Sequence, residues 1–195
     1  MKPVYVVLSG GLSRRFGEPK AFAMWKNKPL YQWCKQAVGG EALILSHPGL
    51  TERFKSYGEK TVWEDIEPFR GKGPLAGIYT AMEHEEGDIY VVLACDTPLI
   101  RHATIKALTE QLTPESDAVV AVADGRAQPL AAVYHKRIKH IIYEQLLQDE
   151  LKIKSFLDRI RVKYIEAQAI GAESWEFLNV NKKSDLKKIE AFFPE

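Results

Sequence analysis

Apolar residues recur along the chain with two alternating periods. Residues 4–9 (VYVVLS), 42–46 (ALILS), 61–63 (TVW), 88–94 (DIYVVLA), 117–123 (DAVVAVA) and 130–134 (LAAVY) are short, largely apolar and rich in valine. Runs of this kind suit strands buried on both faces. Between them the spacing becomes helical: Ile105, Leu108 and Leu112 share one face of 101–112, and Ile138, Ile141, Ile142 and Leu146 share one face of 136–147. Short strands alternating with helices predict βαβ units, hence a mostly parallel sheet covered on both sides. No internal repeat, low-complexity stretch or linker divides the chain, so one domain over residues 1–195 is expected.

In such sheets ligands bind outside the carboxyl ends of the strands, so the residues just after each run carry the chemical interest. The first run breaks into "LSGGLSRRFGEPK", residues 8–20. Gly10 and Gly11 can take positive φ and let backbone N–H groups approach a ligand, as glycine-rich turns do around phosphates. Arg14, Arg15 and Lys20 add cations: arginine offers a planar fork for phosphate oxygens, lysine a compact point charge. Two familiar phosphate motifs fail. Gly17 is followed by Glu18, Pro19 and Lys20 rather than Gly-Lys-Ser/Thr, and Gly-x-Gly-x-x-Gly does not occur. A solvated turn with incidental charges therefore stays open as an alternative.

Two further stretches follow predicted strands. In "VVLACDTPLI", residues 91–100, an apolar run delivers Asp96 at a strand end and Thr97-Pro98 stops the strand. A carboxylate there suits Mg²⁺, which takes few protein oxygens and shares the rest with phosphates. The competing role is a cap for a helix starting near Arg101. In "WEDIEPFRGKGPLAGIYTAM", residues 63–82, Glu64 and Asp65 follow a strand, and the glycines of 71–77 open a helix with Pro74 in its first turn. Close packing of helix on sheet would explain those glycines equally well.

Composition narrows the partners. A 46% apolar, 27% charged chain of 195 residues with a formal net charge of +1 is ordinary for a folded protein and carries no basic excess of the nucleic-acid-binding kind. The N-terminus lacks a signal-peptide layout, and no apolar run approaches the ~20 residues of a membrane helix; no membrane partner and a cytoplasmic location are expected. Cys34 and Cys95 form neither a metal pair nor a disulfide framework and read as small buried side chains. The five histidines (His47, His84, His102, His135, His140) have no metal-ligand spacing, and Lys182, Lys183, Lys187 and Lys188 read as the solvated face of a terminal helix.

Taken in order, "LSGGLSRRFGEPK", "GPLAGI", "ACDTPL" and "FLNVNKKSDL" resemble the molybdenum cofactor guanylyltransferases, also described as the molybdopterin-guanine dinucleotide biosynthesis protein A family, within the nucleotidyltransferase superfamily. The resemblance runs from residue 4 to about 187. It implies a Rossmann-like three-layer α/β/α sandwich of the nucleotide-diphospho-sugar transferase kind, and transfer of GMP from GTP to molybdopterin with Mg²⁺. GTP and molybdopterin would be the small-molecule partners, and molybdoenzymes or other cofactor-biosynthesis proteins the macromolecular ones. By position, the family's nucleotide-contacting turn falls on Leu8, Ser9, Gly10 and Gly11, its motif arginine on Arg15 and its motif lysine on Lys20. Its GTP-binding aspartate falls on Asp65, its magnesium aspartate on Asp96, and its Asn-Val-Asn motif on Asn179 and Asn181.

The match has departures. Ser9 stands where the family has alanine, the glycine-to-lysine spacing contains Pro19, and the family's asparagine after the second strand falls on Ser46. Weaker substrate-contact candidates are Gln128, just before the run at 130–134, and Arg126; Trp25, Trp33, Trp63 and Trp175 could stack on a pterin, with core packing the alternative. Three other functions stay open: transfer with CTP, transfer to another phosphate acceptor, or a nucleotide- or pterin-binding carrier without catalysis.

Overall fold

The computed structural model describes residues 1–11, 16–190 and 192. Arg14 and Arg15 lie outside the described residues. The strands are β1 (Pro3–Ser9), β2 (Met24–Trp25), β3 (Lys28–Pro29), β4 (Leu43–Ser46), β5 (Val62–Glu64), β6 (Ile89–Ala94), β7 (Ala118–Ala123), β8 (Arg126–His135) and β9 (Val162–Glu166). The α-helices are α1 (Leu30–Ala37), α2 (Thr51–Ser56), α3 (Pro74–His84), α4 (His102–Glu110), α5 (Lys139–Leu147), α6 (Ile153–Leu157) and α7 (Lys183–Glu190). Seven strands form one sheet in the order β5-β4-β1-β6-β8-β7-β9, and β2 and β3 form a separate two-stranded ribbon.

β1 pairs in parallel with both β4 and β6, as do β4 with β5 and β7 with β9; β8 runs antiparallel to β6 and β7. The period of two along the strands distributes side chains between two cores. Val7, Ile44, Val91, Leu93 and Val119 pack with Tyr31, Cys34, Phe54, Ile105 and Leu108 of α1, α2 and α4. Their neighbours Val6, Leu43, Tyr90, Val92 and Val120 pack with Leu75, Ile78, Ile142, Leu146 and Phe156 of α3, α5 and α6. The three-layer arrangement is as expected; Ile105, Leu108, Ile142 and Leu146 are buried helical residues, Ile141 is half-buried, and Leu112 and Ile138 are buried just outside α4 and α5.

Three details differ from the sequence reading. β8 begins at Arg126, so Gln128 and Pro129 lie inside a strand rather than before it. The β7/β8 ladder shifts register between Val120 and Ala121, so the partner jumps from Ala132 to Gln128 and Pro129, which lacks an N–H, falls in the irregular stretch. β9 was not anticipated because it is an edge strand with no apolar run, its apolar residues interrupted by Lys163 and Glu166, and β2 and β3 are two residues each, too short to show a period.

The chain moves outward from β1 to β4 and β5, then returns to place β6 on the other side of β1. The connections from adjacent strands therefore diverge at the carboxyl ends of β4, β1 and β6, which is where a crevice opens in a doubly wound sheet.

Candidate active site

A cleft of about 390 Å³ lies at that crevice, lined by Leu8, Gly10 and Gly11 after β1, Asp65 after β5, Cys95 and Asp96 after β6, and Lys20. Gly71, Gly73, Pro74 and Gly77 close it from the start of α3, while Leu45 and Leu130 add apolar wall. Six of the residues expected at the site thus meet around one cavity. Leu45, Leu130 and Cys95 were not assigned a binding role from the sequence; as apolar or small residues in strand runs they carried no sign beyond core packing.

Asp96 is held by the sheet. The Cys95 N–H donates to the Leu8 carbonyl at 3.0 Å, extending the β1/β6 ladder past Ala94, and the Thr97 hydroxyl donates to the Ala94 carbonyl at 2.8 Å. The Asp96 carboxylate accepts from Lys20 Nζ at 2.6 Å, with the two side chains 19% and 17% exposed, so the ion pair is largely shielded from water. Lys20 Nζ also donates to Asn181 Oδ1 at 3.2 Å, and the Val180 N–H donates to the Asp96 carbonyl at 2.8 Å. Asp96 is not a helix cap: α4 has Arg101 as its N-cap residue, without a side-chain cap bond.

Asp65 and Glu64 part company although adjacent. Glu64 accepts from the Thr51 hydroxyl at 2.7 Å, a structural tie to α2, whereas Asp65 faces the cleft and accepts the Gly71 N–H at 3.0 Å. Burial pushes the Asp65 carboxyl above its ordinary value, and the Gly71 N–H with the Arg70 and His47 charges offsets only part of that. A carboxylate that resists ionisation in a cleft is one that gains from new hydrogen-bond donors.

The glycines act differently from expectation. Neither Gly10 nor Gly11 has positive φ, and among the described residues a Cβ on either would meet no atom within 4 Å; neither makes a left-handed turn. In that first loop positive φ falls instead on Gly17, at 81°, and beside the cleft it falls on Gly71 and Gly73, at 75° and 78°, with Gly73 placing Pro74 at the first position of α3. A Cβ at Gly77 would lie 2.9 Å from Leu8 Cδ2. Close packing of α3 on β1 therefore explains Gly77, and the first turn of α3 opens onto the cleft with the partial positive charge of a helix N-terminus.

Other candidates fall away from the cleft. Ser9 is buried, its hydroxyl set against the Cys95 thiol and outside the cleft lining. Ser46 Oγ donates to the His47 carbonyl. Gln128 bonds the Arg126 carbonyl, both side chains lie outside the cleft lining, and Asn179 is exposed beside Val180. Trp63 stacks on His84, Trp175 stacks on Phe192, and Trp25 packs at a tilt against Trp33. Both thiols are buried and unpaired as a disulfide; burial, with the Asp96 charge adding to it, pushes Cys95 to about 12, so it is a protonated wall and not a nucleophile. Among the described residues, the Asp96 carboxylate and the Asn181 amide oxygen both accept from Lys20 Nζ. Such hard oxygens fit a magnesium ion that shares its remaining positions with phosphates and water.

A doubly wound sheet that opens on a glycine-edged cleft with a paired lysine and carboxylate suits an enzyme that handles nucleotides. The chain belongs to the MobA-like NTP transferase family, whose model matches residues 5–164. It is 74% identical over 194 residues to a Bacillus licheniformis protein named "Probable molybdenum cofactor guanylyltransferase", with 100% of each chain covered. It is 50% identical over 190 residues to the protein of the same name from Bacillus subtilis (strain 168), covering 97% and 96% of the two chains. Among solved structures it superposes on molybdopterin-guanine dinucleotide biosynthesis protein A from Archaeoglobus fulgidus with a TM-score of 0.83 at 27% identity, covering 96% and 97%. The fold is that of the nucleotide-diphospho-sugar transferases.

Proposed function

We infer that the protein transfers GMP from GTP to molybdopterin, forming molybdopterin guanine dinucleotide and pyrophosphate. The observation that carries this reading is the convergence of Gly10, Gly11, Lys20, Asp65 and Asp96 on one cleft in a chain of this family. An oxygen of the acceptor's phosphate attacks the α-phosphorus of GTP while the bond to the bridging oxygen of pyrophosphate breaks. The protein's work is therefore positioning and charge neutralisation. The acceptor phosphate is already anionic, so no side chain need remove a proton from it.

Gly10 and Gly11, which line the cleft without side chains of their own, would admit the triphosphate against the backbone. Lys20 holds the phosphates by charge, releasing some of its contact with Asp96 as it does so. Asp96 and Asn181 would hold Mg²⁺, which supplies charge neutralisation to the phosphate oxygens when bound. Asp65 accepts N1–H and the exocyclic N–H of guanine, a donor pair that adenine and cytosine do not present. Arg15, which the family pattern aligns with the departing phosphates, belongs to the same proposal.

The test is incubation of the protein with labelled GTP, Mg²⁺ and molybdopterin, followed by product identification. Asp96→Ala should lower turnover by roughly 10²–10³-fold and leave the melting temperature close to that of the unaltered protein. Undiminished turnover in Asp96→Ala removes the metal assignment, and equal turnover with CTP removes the guanylyl assignment.

A further inference from the structure

Glu176 has no exposed surface, yet no role in nucleotide transfer follows from its sequence context. Its carboxylate accepts from the Arg101 backbone N–H at 3.1 Å, the Thr104 hydroxyl at 2.5 Å, the Glu173 N–H at 2.9 Å, and the Arg101 guanidinium. Arg101 also donates to the Gly171 carbonyl at 3.1 Å. Burial alone would push this carboxyl up; the Arg101 and Thr104 side chains and the two N–H donors outweigh it and hold Glu176 below the usual range. A buried charge satisfied by four donors locks the segments that supply them.

Those segments are the two that flank the cleft's cation-binding side. From Asp96 the chain runs through Thr97-Pro98-Leu99-Ile100 to Arg101; from Glu176 it runs through Phe177-Leu178-Asn179 to Val180. Arg101 is tied to Glu176 at one end, and the Val180 N–H is tied to the Asp96 carbonyl at the other. The two segments thus close a ring. Leu99 and Val180 are buried in one apolar cluster, which fills its inner side. Asn181, one residue beyond the second tie, shares Lys20 with Asp96. Glu176 and Asn181 both lie beyond the part of the chain that the family model matches.

We propose that Glu176 is a positioning residue for phosphate transfer: through this ring it sets where the Asp96 main chain and the Asn181 amide stand, and so where Lys20 points. The base-binding side, Asp65 and Gly71 between β5 and α3, lies outside the ring and is left untouched. The proposal rests on the guanylyl-transfer reading above.

The experiment compares Glu176→Gln with Glu59→Gln. Glu59 is a buried carboxylate paired with Lys35, away from the cleft lining, and serves as the control for loss of a buried charge. Glu176→Gln should lower kcat by about tenfold to a hundredfold, the scale for misplacing reacting groups by around 1 Å, and leave KM for GTP within about twofold. It should also shift the Lys20 side-chain resonance in lysine-labelled protein. Glu59→Gln should lower the melting temperature without either effect. The Lys20 resonance needs no turnover: absence of GMP transfer by the unaltered protein would fail the guanylyl reading alone, whereas an unmoved Lys20 resonance, or a kcat change no larger than in Glu59→Gln, overturns the positioning role. If Glu176→Gln does not fold, Thr104→Val removes one of the four donors, and the Lys20 resonance is read in that variant by the same criteria.

Discussion

Replacing Asp65 by asparagine isolates the choice of base. The carboxylate now accepts one N–H, from Gly71 at 3.0 Å, and is raised by burial, so it has unused acceptor capacity in a poorly solvated place. Guanine would supply two donors to it. The asparagine amide would keep an oxygen for Gly71 but turn an NH₂ group toward guanine's own N–H groups. Hydrogen bonds to charged groups contribute about 1.5–3 kcal/mol each, so losing the equivalent of one weakens GTP by roughly 10–150-fold at about 1.4 kcal/mol per tenfold. CTP, which presents no such donor pair, should change far less. Titration calorimetry with GTP, inosine triphosphate and CTP provides the assay. Inosine triphosphate keeps N1–H and lacks the exocyclic amine, so its deficit against GTP should shrink in Asp65→Asn.

The same substitution has a pH signature. Because the folded-state value of Asp65 is raised above its unfolded 3.8, its protonated form favours folding; that contribution is present below the unfolded value and lost as pH rises through the folded one. Near neutrality Asp65→Asn should therefore melt higher than the unaltered protein while binding GTP worse. GTP affinity of the unaltered protein should fall as pH drops through the raised value, and that of the variant should not. An unchanged GTP-to-CTP ratio in Asp65→Asn would refute the assignment.

Two further substitutions probe the frame. Gly77→Ala gains about 1 kcal/mol of helix propensity, but its Cβ would meet Leu8 Cδ2 at 2.9 Å, and overpacking of that kind costs about 1–3 kcal/mol. Urea unfolding should thus show a loss of about 0–2 kcal/mol while GTP affinity drops as Leu8 is displaced in the cleft; unaltered affinity would show that Leu8 does not shape the site. Asp117 accepts from Arg161 Nε, Nη2 and backbone N–H at 3.1, 2.9 and 3.0 Å, which holds its carboxyl below 3.8. Its stabilisation is present above that value and disappears as pH falls through the folded-state one, so Asp117→Asn should cost about 1–3 kcal/mol near neutrality and progressively less in acid. A cost independent of pH would contradict the ion-pair origin.

The strands nearest the site were legible because β1, β4 and β6 are covered on both faces and so read as unbroken apolar runs. Asp65 and Asp96 were legible as carboxylates placed where such runs stop. What escaped had no period or a misleading one. β8 was entered four residues late because Pro129 looked like a boundary, although the ladder irregularity beside Ala121 accommodates it. Positive φ was sought at Gly10 and Gly11, since a glycine pair draws attention, whereas it falls on Gly17 later in the same loop and on Gly71 and Gly73 across the cleft. Glu176 was invisible: an acidic residue in "ESWEF" looks solvated until its donors arrive from Arg101 and Thr104, more than seventy positions away.

The contact between Lys20 and Asn181 spans 161 positions of sequence. Closing so long a loop gains nothing until the intervening strands are ordered, so local contacts within β2, β3 and α1 form without it. The lysine's surroundings should then be completed late in folding, and catalytic competence should vanish in denaturant before the sheet's circular dichroism does.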